Sequence, residues 1–287
     1  MKLTDINIRD PFILLEGGKY YMFGTRGNEC WGKGTGLDVY TSDDLDEWSD
    51  PKVAFAPPAG FWADRNFWAP EVHKYKEKYY MFVSFKSETR HRGTQVLISD
   101  TPEGPYRVHG KEPITPPDWE CLDGTFYQSK DGTPYMVFCH EWTQVGDGEV
   151  CAIRMNDDLS ASVGEPMLLF KASSAEWIRS VTGKPGDYVT DGPFMYRSET
   201  GDLYMLWAAD DNFGYVEALA KSDNGEIDGK WTQVSRLVDH FSGGHGMIFT
   251  AKDGKKKLTM HSPDVSHKER PYLFDIIEKD GEPTVVR

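Results

Sequence analysis

The amino-acid sequence predicts an all-β fold, a five-bladed β-propeller with four-stranded antiparallel blades, on three observations. One pattern recurs five times: an acidic residue or His near Gly or Pro opens a short apolar strand, a polar turn follows, and an aromatic-rich strand returns. Sustained i, i+3, i+4 apolar periodicity is absent from the 287 residues. The 28 Gly and 17 Pro are spread along the whole chain, where they punctuate short strands and would interrupt long helices. No linker or low-complexity stretch divides the chain, so residues 1–287 are expected to form one propeller domain.

The first unit runs from Asp10-Pro11-Phe12 through the turn Glu16-Gly17-Gly18-Lys19 to Tyr20-Tyr21-Met22-Phe23. The second runs from Ala69-Pro70-Glu71 through Lys76-Glu77-Lys78 to Tyr79-Tyr80-Met81-Phe82. Asp123-Gly124-Thr125, then Pro134-Tyr135-Met136, make the third, and Asp191-Gly192-Pro193, then Leu203-Tyr204-Met205, the fourth. The fifth is Gly244-His245-Gly246, then Lys257-Leu258-Thr259-Met260. Third strands are expected at Leu37-Asp38-Val39-Tyr40, Gln95-Val96-Leu97-Ile98 and Val216-Glu217-Ala218-Leu219. Trp48 and Trp231 mark outer strands and are expected to be packing residues. Four short strands per unit, repeated five times, define a propeller.

In a propeller the innermost strand of each blade lines the central channel, so residues at the same end of those strands converge. Asp10, Asp123 and Asp191 are thus expected around one pocket, with Glu71 and His245 nearby. Each alone could be a turn residue, but recurrence at one place in a repeat favours a shared site. Carboxylates crowded in one cleft cannot all ionise at ordinary pH, so some pKa values rise while others stay low. Glycoside hydrolysis uses such a split: one protonated carboxyl for the leaving oxygen and one ionised carboxylate for water.

Composition narrows the partners. The formal charge is −14, from 32 basic and 46 acidic residues, and the longest basic run, Lys255-Lys256-Lys257, falls in an expected turn. A nucleic-acid partner, which needs a basic footprint, is therefore not expected. A carbohydrate suits the 9 Trp, 14 Tyr and 15 Phe, whose ring faces stack on sugars. Cys30, Cys121, Cys139 and Cys151 make no C-x-x-C pair and are read as thiols. No run approaches 18 apolar residues, so no membrane partner is expected. The opening Met1-Lys2-Leu3-Thr4-Asp5 has no apolar leader, which points to the cytoplasm, or to secretion or the periplasm if a leader was trimmed. His140-Glu141, His240 and His245 do not form an H-E-x-x-H zinc motif, and Gly32-Lys33-Gly34-Thr35-Gly36 lacks dinucleotide-loop spacing.

These segments resemble glycoside hydrolase family 43, from Arg9-Asp10-Pro11-Phe12-Ile13, through Trp68-Ala69-Pro70-Glu71, to Gly243–Phe249. The resemblance implies an inverting mechanism with Asp10 as general base and Asp123 as the residue that tunes and orients the acid. It implies no required cofactor, and a structural Ca2+ in the central channel near His245. The family's blade-four acid is Glu, whereas this chain has Thr190-Asp191-Gly192-Pro193. Asp191 is expected to donate the proton, with Glu141 of Cys139-His140-Glu141-Trp142 in reserve. Trp68, Phe126 and Trp142 are read either as a sugar platform or as core, with Glu71 beside them. Arg270 is read either as a sugar or carboxylate ligand or as a surface ion-pair residue. The expected activity is exo-acting release of a terminal pentose or furanose: α-L-arabinofuranosidase first, then β-xylosidase or β-galactofuranosidase. A carbohydrate-binding propeller without hydrolysis is the alternative, and a protein-interaction propeller a third class.

Overall fold

Tight polar turns joining apolar strands build the molecule hairpin by hairpin. In the computed structural model, which describes residues 1–238 and 241–286, twenty strands form five four-stranded antiparallel sheets. His240 lies outside the described residues. Blade I comprises β1 (Ile8–Glu16), β2 (Lys19–Arg26), β3 (Leu37–Ser42) and β4 (Lys52–Phe55). Blade II comprises β5 (Arg65–Tyr75), β6 (Lys78–Lys86), β7 (Gly93–Ser99) and β8 (Arg107–His109). Blade III holds β9 (Cys121–Gln128), β10 (Pro134–His140), β11 (Glu149–Met155) and β12 (Ser162–Lys171), with a short helix α1 (Trp142–Val145) after β10. Blade IV holds β13 (Asp191–Arg197), β14 (Leu203–Asp211), β15 (Gly214–Ser222) and β16 (Trp231–Arg236). Blade V holds β17 (Gly244–Thr250), β18 (Lys256–Ser262), β19 (Arg270–Lys279) and β20 (Glu282–Val285).

Local chemistry explains the hairpins. Gly17 and Gly18 have φ of 57° and 74°, the positive pair that a two-residue turn between twisted strands requires. The second strand of each blade is sandwiched between neighbouring blades, so most of its residues are buried on both faces. The Tyr20–Thr25 and Tyr79–Phe85 runs are buried throughout. The outer strand β12 is instead mostly exposed. Trp231 opens β16, whereas Trp48 precedes β4, and both are buried with their indole N–H groups on nearby carbonyls. The expected turn at Lys255–Lys257 shifts by one residue: Lys256 and Lys257 open β18, paired with Glu199, Glu278 and Asp275.

The cores lie between blades. One joins blades I and II and takes in Met247, Phe249 and Ala251 at blade V, a second joins blades II and III, a third blades III and IV, and a fourth blades IV and V. The innermost strands β1, β5, β9, β13 and β17 touch in sequence and close the ring. Phe12 of β1 and Phe194 of β13, from non-adjacent blades, bring their rings within 6.3 Å and plug the axis. The channel is thus a shallow hollow on the face where the innermost strands begin.

Candidate active site

Every innermost strand breaks its ladder near its start. The register shifts lie between Arg9 and Phe12, Trp68 and Glu71, Asp191 and Phe194, and Gly244 and Met247, and opposite Val137–Cys139 on β9. At each break stands a residue with left-handed φ: Asp10 at 54°, Ala69 at 47°, Asp123 at 56°, Gly192 at 50° and His245 at 54°. For a non-glycine residue this costs of order 1–3 kcal/mol, and such bulges re-aim side chains at active sites. The following amide has no ladder partner. Pro11, Pro70 and Pro193 remove that donor altogether. The Gly124 N–H donates instead to Thr94 Oγ1 at 3.2 Å, and the Gly246 N–H to Glu217 Oε2 at 2.9 Å.

The bulge corrects the expected equivalence of the leading residues. Ala69 and Gly192, not Glu71 and Asp191, stand level with Asp10, Asp123 and His245. Asp191 emerges one residue ahead of its bulge. Glu71 lies two residues beyond its own, where its carboxylate accepts the Thr125 hydroxyl at 2.5 Å and meets His73 Nε2 at 3.0 Å.

Asp10, Asp123, Asp191 and His245 share one hollow of about 60 Å³, walled also by Arg9, Cys30, Trp31, Trp68, Leu122 and Tyr215. Asp10 Oδ2 accepts the Thr25 hydroxyl at 2.6 Å, and that hydroxyl is fixed by the Ala69 N–H at 2.7 Å. His245 Nδ1 lies 3.3 Å from Asp10 Oδ1 and 3.6 Å from Asp123 Oδ2. Those two oxygens are therefore no further apart than the sum of the two distances. The Gly192 N–H donates to Asp123 Oδ2 at 3.0 Å, and the Tyr215 hydroxyl to Asp191 Oδ2 at 3.1 Å.

The three carboxyls are electrostatically unlike. Burial pushes Asp10 upward, but His245, Arg9 and the Thr25 hydrogen bond outweigh it and hold the group below its ordinary pKa. Burial, then the Asp10 charge, raises Asp123 to about 6 against the pull of His245. Burial and the neighbouring Asp123 charge raise Asp191 well above the carboxylate range. Burial disfavours the imidazolium of His245, yet the surrounding carboxylates raise it to about 9.

The remaining expected residues divide. Trp68 walls the hollow: its indole donates to the Cys30 carbonyl at 2.5 Å, and its ring packs edge-on to Trp31 at 5.3 Å. Glu141 stands just before helix α1, its carboxylate bound by Arg92, whose guanidinium lies 4.3 Å from the Trp68 ring centre. Trp142 begins that helix and does not line the hollow. Phe126 packs against His73, Tyr75 and Phe82 in the interblade core, because it lies three residues deeper along β9 than Asp123. Arg270 is not brought to the hollow: it donates to the carbonyls of Thr4, at 2.9 Å, and Glu269, at 2.8 Å, and so ties blade V to the N-terminal turn.

Sequence reasoning missed Trp31, Arg9, Tyr215 and Cys30. The loop after β2, set aside as a poor dinucleotide loop, carries Cys30 and Trp31 over the hollow. Its glycines allow that approach, since a Cβ on Gly34 would meet the Phe67 ring at 2.4 Å. A calcium ion was expected in the channel near His245. Such an ion takes 6–8 oxygen ligands. Among the described residues no group of three or more His, Cys, Asp or Glu is arranged to hold a metal. His245 Nδ1 faces the Asp10 and Asp123 carboxylates as a proton donor does.

The sequence pattern of glycosyl hydrolases family 43 matches residues 4–274. A solved endo-arabinase from Bacteroides thetaiotaomicron VPI-5482 superposes with a TM-score of 0.91, at 37% identity, with 98% of each chain covered. The extracellular endo-α-(1→5)-L-arabinanase 1 of Bacillus subtilis (strain 168) is 26% identical over 148 residues, which is 48% of this chain and 45% of that protein. The probable arabinan endo-1,5-α-L-arabinosidase A of Emericella nidulans is 22% identical over 267 residues, 89% of this chain and 74% of that protein. The match thus spans under half the length of the Bacillus relative. The family pattern covers all five innermost strands, and the structure gathers Asp10, Asp123 and Asp191 from three of them and His245 from a fourth at one mouth; the chain belongs to glycosyl hydrolases family 43.

Proposed function

We propose that this chain hydrolyses α-1,5-linked L-arabinofuranose chains with inversion, cutting within the polymer. One observation carries the chemistry: Asp10 and Asp191 share a hollow that pushes their pKa values in opposite directions. A carboxylate held ionised is a base for water, and a carboxyl held neutral is an acid for the leaving oxygen. Asp123 stands between them, touching His245 and the Gly192 amide, and tunes the acid by its charge. Arg92 engages Glu141, which leaves Asp191 as the better-placed donor.

The names of the relatives support arabinan as substrate and internal cleavage as mode. So does the surface around the hollow. On the same face, the loop 87–93 and the connection 111–120 enclose a cavity of about 880 Å³. Arg92 lines that cavity and stacks on Trp68 of the hollow, so the two spaces adjoin and could hold a continuous chain. The exo-acting α-L-arabinofuranosidase reading keeps one observation in its favour, the small hollow above the acids. A polymer does not cross a membrane whole, and the Bacillus relative is named extracellular, which supports action outside the cytoplasm over the cytoplasmic expectation. No helix among the described residues is long and apolar enough to span a membrane.

Linear α-1,5-arabinan separates the readings. Internal cleavage gives a ladder of oligosaccharides early in the reaction, whereas arabinose alone would establish the exo mode. Asp10→Asn and Asp191→Asn should each lower kcat by about 10²–10⁴-fold with an unchanged melting temperature. A wild-type rate in either variant removes the assignment. Binding of arabinan without product by the wild-type protein would establish a non-hydrolytic propeller.

A further inference from the structure

The two working carboxyls come from blades I and IV, but the groups that orient them meet behind the hollow in one stacked pair. His261, on β18, is fully buried. The backbone N–H of Asp10 donates to its Nδ1 at 3.2 Å. Only an unprotonated nitrogen can receive an N–H, so the ring proton resides on Nε2, which faces Asp264 Oδ1 at 3.6 Å. The Tyr215 ring lies over this imidazole, with centres 5.7 Å apart and planes 26° from parallel. The Tyr215 hydroxyl donates to Asp191 Oδ2. With Oδ2 thus occupied, the proton of a neutral Asp191 belongs on Oδ1.

We infer that His261 and Tyr215 form a positioning unit for both ends of the reaction: His261 fixes the backbone of Asp10, and Tyr215 selects the oxygen of Asp191 that carries the proton. The inference rests on Asp10 as base and Asp191 as acid. The need for such a unit follows from the bulge. Asp10 sits at φ 54° with its amide outside the β1–β2 ladder, so its direction depends on whatever receives that amide. The receiver is a buried side chain from the neighbouring blade. Its ring is held flat by the residue that grips the acid, so base and acid are referenced to one rigid body. A misplacement of about 1 Å at such a pair can lower the rate about 10²-fold.

Three variants of the full chain distinguish positioning from packing, assayed on linear α-1,5-arabinan. His261→Phe keeps a ring for Tyr215 but removes the acceptor. His261→Asn restores an oxygen acceptor near the place of Nδ1. Tyr215→Phe keeps the stack and removes the hydroxyl. The expected result is a kcat lowered roughly 10- to 100-fold in both Phe variants, with KM within about twofold, and at least a tenfold recovery of kcat in His261→Asn over His261→Phe. Wild-type kcat in either Phe variant, or no gain in His261→Asn, overturns the inference. Nitrogen-15 NMR of the wild-type histidines at neutral pH is independent of any variant's folding: a neutral ring protonated at Nε2 is expected for His261, and an imidazolium overturns the inference. Asp10→Asn and Asp191→Asn are measured alongside. If those two remain active, the base and acid reading fails; if they are inactive while Tyr215→Phe is normal, only the positioning unit fails.

Discussion

At the scale of the residue, Gly192 shows how tightly the hollow is drawn. It occupies the blade-IV bulge at φ 50°, its amide serves Asp123, and the His245 ring fills the space a side chain would need. A Cβ there would stand 2.7 Å from both Cγ and Cδ2 of the imidazole. Gly192→Ala should therefore destabilise the fold by about 1–3 kcal/mol for a left-handed L-residue, and by the further cost of displacing the buried His245 ring. Its kcat should fall as well, by about 10²-fold, because His245 must swing away from Asp10 and Asp123. Melting curves and steady-state kinetics on one preparation check this, and a rate loss no larger than the stability loss explains would refute it. The same geometry shows what was legible beforehand. Asp10, Asp123 and His245 could be read because each precedes Pro or Gly, the residues a bulge tolerates. Asp191 and Glu71 were read one residue early and two residues late, because an acid near Gly-Pro or Ala-Pro looks alike at either offset. Trp31, Arg9, Tyr215 and His261 could not be found this way. They reach the site from a loop, from the residue before the bulge and from second and third strands, where the repeat carries no chemical marker.

At the scale of the element, the recurring unit is the bulged innermost strand together with whatever satisfies its orphan amide. Three blades use proline and need nothing more. Blades III and V use glycine, and each must supply an acceptor from a neighbouring strand. For blade V this is Glu217 of β15, fully buried, with Oε2 on the Gly246 amide and Oε1 without a hydrogen-bond partner. Burial raises its pKa to about 8, against the opposing pull of the Gly246 amide and His245, so the folded protein holds a proton that the unfolded chain releases near the ordinary glutamate value. Between those two values the native state binds more protons than the unfolded one, and stability falls as pH rises. The contribution is complete below the unfolded pKa and lost as pH passes about 8. Glu217→Gln keeps an acceptor for Gly246 and cannot ionise. It should lose this component of the slope, so its melting temperature relative to wild type should climb from pH 5 to pH 8, by roughly 2–4 °C per kcal/mol. Parallel curves for the two proteins across that range would show that Glu217 is ionised in the fold. The strands themselves were legible as alternating turn and apolar run; their bulges were not, since a bulge adds a residue without changing composition.

At the scale of the whole molecule, the ring must close between its first and last blades. No strand is exchanged there: β1–β4 build blade I and β17–β20 build blade V. Closure falls to side chains, apolar ones such as Met247 and Phe249 packed on blade I and polar ones across the seam. Asn7 donates to the Glu269 carbonyl at 2.9 Å, Arg270 to the Thr4 carbonyl at 2.9 Å, and Arg9 to Asp264 at 2.7 Å and Glu269 at 3.1 Å. The Glu269 carboxylate is almost sealed from solvent, at 1% side-chain exposure, and Arg9 is the guanidinium that faces it. Removing one partner of a buried pair leaves an uncompensated charge and costs about 3–5 kcal/mol, whereas removing both can be nearly neutral. Arg9→Met should accordingly lower stability by about that much, and Arg9→Met combined with Glu269→Gln should recover part of the loss, the Asp264 carboxylate still lacking its guanidinium. Denaturant unfolding of the wild type, both single variants and the double variant measures the coupling directly. Additive losses would mean that the pair does not hold the ring shut. The same cycle relates closure to chemistry, because Arg9 also walls the hollow beside Asp10. If the seam serves only stability, the double variant regains the melting temperature and the rate together. If Arg9 also helps to hold Asp10 ionised, as its place among the forces lowering that carboxyl requires, stability returns in part while kcat stays low.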